Sequence, residues 1–282
     1  MIPDSAQDPQ AAIEQTTQLG IGAHQDDLEF MAMSAILDCI ETPDEFFSGI
    51  ICTDGRGSAR AGEFANLSDQ QMVTIRTKEQ QQAARLGRYA YIAQMEQGSE
   101  AIKSSTGIQA LAKRLAVMIQ RSQPSVIFTH QPFDKHPTHV AVCSAVVQAI
   151  RLLPAEFRPK RLMGCEVWRG LDWLPDDLKM ILPIPDQPEL ISQLLRSFPS
   201  QVQGGKRYDR AVEGRWYSNA TFSDSHAIDK HQRVSYGVDL GDLLVDDELS
   251  LAQFCDSIVE QFRTSVQSML SDVEEDSSQA EA

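Results

Sequence analysis

The sequence lacks paired cysteines, carries little positive charge and contains no long apolar run. Its five cysteines stand singly, with no Cys-x-x-Cys pair, which argues against a disulfide framework and against a thiolate zinc cluster. Lys plus Arg number 25 against 40 Asp plus Glu, and the resulting formal net charge of -15 repels nucleic-acid phosphates and anionic membranes. We therefore expect no nucleic-acid partner.

No stretch of the chain is apolar for long enough to span a bilayer, and the N-terminus has neither the basic start nor the apolar segment of a signal peptide. These absences predict a cytoplasmic protein without membrane insertion. The remaining composition, 42% hydrophobic and 23% charged over 282 residues, is typical of a folded globular protein with a substantial core.

Segments with strand and helix character alternate along the first half of the chain. Predicted strands cover residues 19–23, 46–53, 89–95 and 125–129, and predicted helices cover residues 28–39, 73–86, 107–120 and 139–152. Four such alternations predict an α/β fold with a Rossmann-like, doubly wound, mostly parallel sheet. Gly20 and Gly22 do not form a dinucleotide motif, because Gln25 occupies its third glycine position.

The pattern changes at Pro154, after which prolines separate short segments. Strand character covers residues 163–168, and helix character covers residues 189–198 and 249–269. This second half predicts a C-terminal elaboration of the core. The predicted organisation is a polar lead-in at 1–17, a single domain at 18–270 with a core at 18–153 and a cleft wall at 154–270, and an acidic mobile tail at 271–282.

Polar clusters follow two of the predicted strands. His24, Asp26 and Asp27 come after the first strand, and His136 and His139 come after the fourth. In an open parallel sheet, ligands bind beyond the carboxyl ends of the strands. We therefore expect these two distant segments to meet at one site.

Imidazole and carboxylate together suit zinc, and a catalytic zinc keeps three protein ligands and one open position. His24, Asp27 and His139 supply such a set. Asp26 is then a carboxylate left to act as a general base, and His136 is placed to stabilise an oxyanion or to protonate a departing amine. The predicted cofactor is Zn²⁺, with Fe²⁺, Mn²⁺ and Co²⁺ as alternatives for the same donors.

The two clusters, 23–27 (Ala-His-Gln-Asp-Asp) and 136–139 (His-Pro-Thr-His), resemble the signatures Ala-His-Pro-Asp-Asp and His-Pro-Asp-His of the PIG-L (LmbE-like) family of metal-dependent N-acetylglucosaminyl deacetylases. The resemblance covers roughly residues 18–230. It implies the same ligands, the same base, and a role for His136 in supporting the tetrahedral intermediate. Arg76 matches an arginine that commonly contacts sugar in the family.

The chain departs from these signatures at two positions. Gln25 replaces the proline of the first, and Thr138 replaces the aspartate of the second. Neither change removes a ligand. Thr138 does remove a carboxylate able to orient His136, and Asp134 is a candidate to substitute for it.

Further candidates for substrate contact lie in the second half of the chain. A stretch rich in cationic and aromatic residues suits a sugar or a phosphate group, with a solvated loop as the alternative. The full predicted substrate-binding set is Arg76, Asp134, Lys206, Arg207, Arg215 and His226.

The predicted function is zinc-dependent hydrolysis of the N-acetyl group of an N-acetylglucosamine-type sugar conjugate, with release of acetate. Two alternatives stay open: a metal-dependent amidohydrolase for a non-sugar N-acyl substrate, and a metal- or sugar-binding protein without turnover. The predicted partner is a small sugar conjugate, and a homo-oligomer is compatible with the sequence.

Overall fold

The structure is a computed structural model that describes residues 1–3 and 8–280, with side-chain surroundings up to residue 273. In this part of the chain, seven strands form one sheet in the order β3-β2-β1-β4-β5-β7-β6. They are β1 (Gln18–Gly22), β2 (Phe47–Thr53), β3 (Ile92–Gln97), β4 (Val126–His130), β5 (Arg161–Cys165), β6 (Lys179–Pro183) and β7 (Val234–Asp239). The first five strands pair in parallel, and β7 runs antiparallel between β5 and β6. The predicted mostly parallel α/β fold is confirmed.

Eleven α-helices occur among the described residues. They are α1 (Pro9–Glu14), α2 (Asp27–Met31), α3 (Met33–Glu41), α4 (Asp69–Leu86), α5 (Ser105–Ser122), α6 (Pro137–Arg151), α7 (Pro188–Leu195), α8 (Pro199–Val202), α9 (Tyr208–Thr221), α10 (Asp242–Val245) and α11 (Leu251–Ala280). One apolar cluster packs α5 and α6 against one face of the sheet. A second cluster packs α2, α3 and α7 against the other face.

The predicted elements of the core all exist, with shifted ends. The helix predicted over 28–39 is divided, because Ala32 leaves helical geometry with φ -125° and ψ 22° between α2 and α3. Helix α4 starts four residues earlier than predicted, since Ser68 and Gln71 form a capping box at its N-terminus. β6 and β7 were not predicted. β7 is short and almost wholly buried, so it shows no alternation of polar and apolar residues.

Two glycines of β1 allow helix α2 to lie close to the sheet. A Cβ atom on Gly20 would come within 2.8 Å of Leu28 Cδ2 and 2.7 Å of Phe47 Cζ. A Cβ atom on Gly22 would come within 3.1 Å of Asp27 Cβ. The close approach brings the first turn of α2 against the end of β1.

The strand order creates a crevice beyond β1 and β4. The chain winds from β1 to β2 and β3 in one direction, then returns to β4 on the other side of β1 and continues to β5. The loops after β1 and β4 therefore leave the sheet side by side, at the position where open α/β sheets bind ligands. Both predicted polar clusters lie in these loops and in the first turns of the helices that follow them, α2 and α6.

Helix α11 runs through Ala280 and so continues into the segment that the sequence predicts as a mobile tail. The mobility of that segment stays a prediction, and residues 281–282 lie outside the described residues. No helix in the described ranges combines the length and the apolar character needed to cross a membrane.

Gly20→Ala tests the close packing of α2 on β1. We expect the free energy of unfolding to fall by about 1–3 kcal/mol, because the added methyl group overlaps Leu28 and Phe47, both buried. Denaturant titration followed by circular dichroism measures the change.

Gly214→Ala is the matched control. Gly214 lies inside α9, and nothing would lie within 4 Å of its added Cβ atom. This substitution should leave stability unchanged or raise it by up to about 1 kcal/mol, since alanine favours helix. Equal destabilisation by the two variants would contradict the packing argument.

Candidate metal centre and active site

The three predicted metal ligands converge beyond the ends of β1 and β4. His24 Nδ1 lies 3.2 Å from His139 Nε2 and 3.3 Å from Asp27 Oδ2. The other carboxylate oxygen of Asp27, Oδ1, lies 3.5 Å from His139 Nε2, so the three residues form a triangle in which Asp27 uses both of its oxygens. Donor atoms around a tetrahedral zinc, at metal–ligand distances of about 2.0–2.1 Å, lie roughly 3.3–3.4 Å apart. The donor set and its spacing therefore fit one such cation.

Two triads of donor atoms lie within 4.8 Å of one another among the described residues, His24 with His136 and His139, and Asp27 with His130 and His139, and each shares two residues with the predicted set. His130 is a weaker candidate because its Nε2 already has two neighbours. The Ala23 amide nitrogen lies 2.9 Å from this atom, and Asp27 Oδ2 lies 3.2 Å from it. Nε2 either accepts a hydrogen bond from the amide or donates one to the carboxylate, and each role leaves no lone pair for a cation.

His130 was assigned no role from the sequence, although it is the last residue of β4. It is fully buried, and its ring stacks on that of His139 with centroids 3.8 Å apart. The sequence signal that could have identified His130 is a polar residue at the end of a mostly apolar strand. His130 contacts two of the proposed ligands from behind, Asp27 through its Nε2 and His139 by stacking.

Burial and charge keep the proposed ligands in forms that bind metal. Burial alone would raise the pKa of Asp27, but the imidazoles of His139 and His130 outweigh it and hold that pKa well below its usual value. Burial, together with the neighbouring His130, lowers the pKa of His139 to about 4. An ionised carboxylate and a neutral imidazole are the states that coordinate a divalent cation.

Asp26 lies beside this triangle in an unusual backbone conformation. Its φ of 87° is in the left-handed region, a strain typical of functional positions. The Gln80 side chain accepts the amide proton of Asp26 at 3.1 Å, and Arg76 Nη2 donates to Asp26 Oδ2 at 2.8 Å. Burial raises the pKa of Asp26 to about 7, although Arg76 acts in the opposite direction.

Arg76, a predicted substrate contact, is almost wholly buried behind Asp26. Its Nη1 donates to Glu79 Oε2 at 2.9 Å, and its Nη2 also donates to the Gln25 carbonyl. Glu79 in turn accepts from the amide and the hydroxyl of Ser200, each at 2.7 Å. The guanidinium therefore links the carboxylate beside the candidate metal centre to the C-terminal part of the chain.

A cavity of about 340 Å³ opens over these residues. His136 lies in its wall, with ring centroids 4.9 Å from His24 and 4.6 Å from His139. Burial, with repulsion from His24, lowers the pKa of His136, so its ring is neutral at pH 7. The cavity is lined by His24, Asp26, Asp27, Thr53, Asp54, Gly55, Gly57, Ser58, Ala59, Arg76, Ser99, His136, Trp168, Gln201, Lys206 and Tyr208.

Of the other predicted substrate contacts, only Lys206 reaches this cavity, where its Nζ lies 5.3 Å from the Trp168 ring centre. Arg207 pairs with Asp209, and Arg215 donates to the Val167 carbonyl. His226 is exposed. The last predicted contact, the Asp134 carboxylate, lies behind His139 at 3.2 Å from its Nδ1.

The two departures from the resembled signatures have different surroundings. Gln25 uses its side chain to link the loop after β1 to β2 and β3, because its Nε2 donates to the Thr53 carbonyl and to Gln94 Oε1, each at 3.2 Å. Thr138 is buried in the first turn of α6. The replacement of proline by Gln25 thus adds contacts that a proline could not make.

A family model for PIG-L, described as GlcNAc-PI de-N-acetylase, matches residues 19–150. This segment, a little under half of the chain, is similar to the PIG-L family. The matched segment runs from β1 to α6 and contains both polar clusters. The resemblance inferred from the two signatures is therefore confirmed. A comparison with curated proteins finds no match.

Solved structures with the same fold include proteins of more than one activity. N,N'-diacetylchitobiose deacetylase from Pyrococcus horikoshii is 18% identical, with a TM-score of 0.63 over 82% of this chain and 86% of that chain. The zinc-inhibited form of teicoplanin deacetylase Orf2 is 14% identical, with a TM-score of 0.58 over 79% and 97%. GalB, the 4-carboxy-2-hydroxymuconate hydratase of Pseudomonas putida KT2440, is 15% identical, with a TM-score of 0.62 over 80% and 96%. At these identities the likeness to this protein concerns the fold.

Arg76→Ala tests the buried ion-pair network. We expect the free energy of unfolding to fall by about 3–5 kcal/mol, because the carboxylates of Asp26 and Glu79 lose their shared cation inside the protein. Arg56→Ala is the control, since Arg56 pairs with Asp54 beside the same cavity but its side chain is 56% exposed. A similar small loss in both variants, measured by denaturant titration, would contradict the role of Arg76.

Proposed function

We propose that this protein is a metal-dependent N-deacetylase that hydrolyses the acetamido group of an N-acetylglucosamine-type sugar conjugate to an amine and acetate. The observation that carries the proposal is the meeting of His24, Asp27 and His139 at 3.2–3.5 Å, with Asp26 and His136 in the same cavity wall. The match of residues 19–150 to the PIG-L family model, described as GlcNAc-PI de-N-acetylase, supports the reaction type.

In this proposal, His24, Asp27 and His139 hold one divalent cation. Their two nitrogens and one carboxylate favour zinc, and Fe²⁺, Mn²⁺ and Co²⁺ suit the same donors. When bound, the cation supplies Lewis acidity to the attacking water and to the acyl carbonyl.

Asp26 takes the proton of the attacking water in this mechanism. Arg76 holds Oδ2, so Oδ1 is the oxygen that receives the proton. The left-handed backbone at Asp26 and the hydrogen bond of its amide to Gln80 keep the carboxylate next to the ligand triangle. Asp26 then returns the proton to the departing nitrogen.

His136 supports the opposite side of the reacting carbonyl. As a neutral imidazole it has one N–H group, which can donate to the oxygen that becomes negative in the tetrahedral intermediate. Its ring lies against those of His24 and His139, and the Trp168 ring lies 6.1 Å away on the cavity side.

The cavity size limits what enters. About 340 Å³ is at the lower end of the range for small-molecule sites, so one sugar ring with its acetamido group fills it and the rest of a conjugate lies outside. Trp168 and Tyr208 give the cavity wall an aromatic surface that suits the apolar face of a sugar. The deacetylases for diacetylchitobiose and teicoplanin that share the fold make sugar conjugates the first candidates.

Two single variants separate metal binding from proton transfer. His24→Ala should lose bound metal and acetate release together, because one of three donors is gone. Asp26→Asn should retain the metal and lose about 10²–10⁴-fold in acetate release, since the amide accepts no proton. Elemental analysis and an acetate assay on both variants measure the two effects. An Asp26→Asn protein as fast as the wild type would remove the assignment of the base.

A substrate panel decides between the deacetylase and its alternatives. We expect acetate release from N-acetylglucosamine conjugates, N,N'-diacetylchitobiose among them, which stops when a chelator removes the metal and returns with added Zn²⁺ or Co²⁺. Release only from acylated amines without a sugar would favour the broader amidohydrolase. Metal and sugar binding without any acetate release would favour a protein without turnover.

A further inference from the structure

Asp134 is a buried carboxylate that no lysine or arginine of the described residues neutralises. It lies in the loop between β4 and α6, and its side chain is wholly buried. Its Oδ1 accepts the amide proton of His136 at 3.1 Å. Its Oδ2 lies 3.1 Å from the amide nitrogen of Trp168 and 3.2 Å from His139 Nδ1. A carboxylate held in this way requires N–H groups on every side.

We propose that Asp134 is a positioning residue that fixes the tautomer and the ring orientation of His139. The proposal rests on the proposed function, in which His139 is a metal ligand. An ionised carboxylate only accepts hydrogen bonds, so His139 Nδ1 must carry the proton. The lone pair of the ring is then on Nε2, the atom that lies 3.2 Å from His24 Nδ1 and 3.5 Å from Asp27 Oδ1.

This contact differs from the one expected if Asp134 substituted for the aspartate that Thr138 replaces. The sequence predicts that Asp134 orients the ring of His136, but Asp134 contacts only the backbone amide of His136. The ring of His136 has a buried Nδ1 without a hydrogen-bond partner among the described residues. The carboxylate serves His139 instead.

Asp134 also joins the ligand to the wall of the cavity. The Trp168 amide that binds Oδ2 follows β5, and the Trp168 ring lines the cavity. One carboxylate thus connects the loop after β4, the first turn of α6 and the loop after β5. A change at Asp134 should therefore alter both metal affinity and the binding of substrate against Trp168.

The tautomer is directly measurable on the unmodified, metal-free protein. Long-range ¹H–¹⁵N correlation spectra report which ring nitrogen carries the proton, and we expect His139 to be protonated at Nδ1. The signal is assigned by its loss in His139→Gln. Protonation at Nε2, or a mixture of the two tautomers, would overturn the proposal whether or not the protein is a deacetylase.

Asp134→Asn tests the consequence for metal binding. All three neighbours of the carboxylate donate, so the amide group of asparagine must face at least one donor and can donate to His139 Nδ1, which moves the ring proton to Nε2. We expect the dissociation constant for Zn²⁺, measured by competition with a chromogenic chelator, to rise by about 10–100-fold. KM for an active substrate should rise as well when zinc is saturating.

Asp209→Asn is the matched control. Asp209 is another buried carboxylate with a hydrogen-bonding partner, Arg207, but it contacts no proposed ligand. It should keep the zinc affinity of the wild type. Unchanged zinc affinity in Asp134→Asn, in a protein where His24→Ala abolishes zinc binding, would reject the role of Asp134 and leave the proposed function intact. Absence of zinc binding by the wild type would reject the proposed metal centre, and the tautomer measurement would still decide on Asp134.

Discussion

The parallel pairing of β1 with β4 is the constraint on which the candidate site depends. Ile21 is the register partner of Thr129, so the chain leaves both strands at the same level of the sheet. His24 follows one strand by two residues, and His130 ends the other. A slip of one residue in this register would turn the end of β4 toward the opposite face of the sheet and separate the imidazoles from the β1 loop.

Buried charge is the second condition for such a site. The buried carboxylates around the site include Asp26, Asp27 and Glu79, and burial of each costs free energy unless a positive partner is near. Arg76 compensates two of them. Among the described residues, Asp27 has only imidazoles as possible positive neighbours. A divalent cation would supply the charge that the fold leaves missing at this position.

The same fold serves enzymes with different reactions, since a hydratase and two deacetylases share it with this chain at 14–18% identity. The sheet therefore defines where a site forms, and the side chains after β1 and β4 define its chemistry. In this protein the C-terminal part of the chain also contributes residues to the candidate site. Ser200 holds Glu79 and through it Arg76, while Trp168 and Tyr208 form the cavity wall.

Local sequence was sufficient for the alternation of strands and helices and for proposing which residues would hold a metal. Apolar periodicity and turn residues act over short distances, and His24, Asp27 and His139 belong to compact motifs next to strand ends. The partners of buried polar groups come from segments far apart in the chain, and no local pattern records them. Tertiary structure therefore decided that Arg76 lies behind Asp26, that Asp134 binds the ring of His139, and that β7 adds to the sheet beside β5.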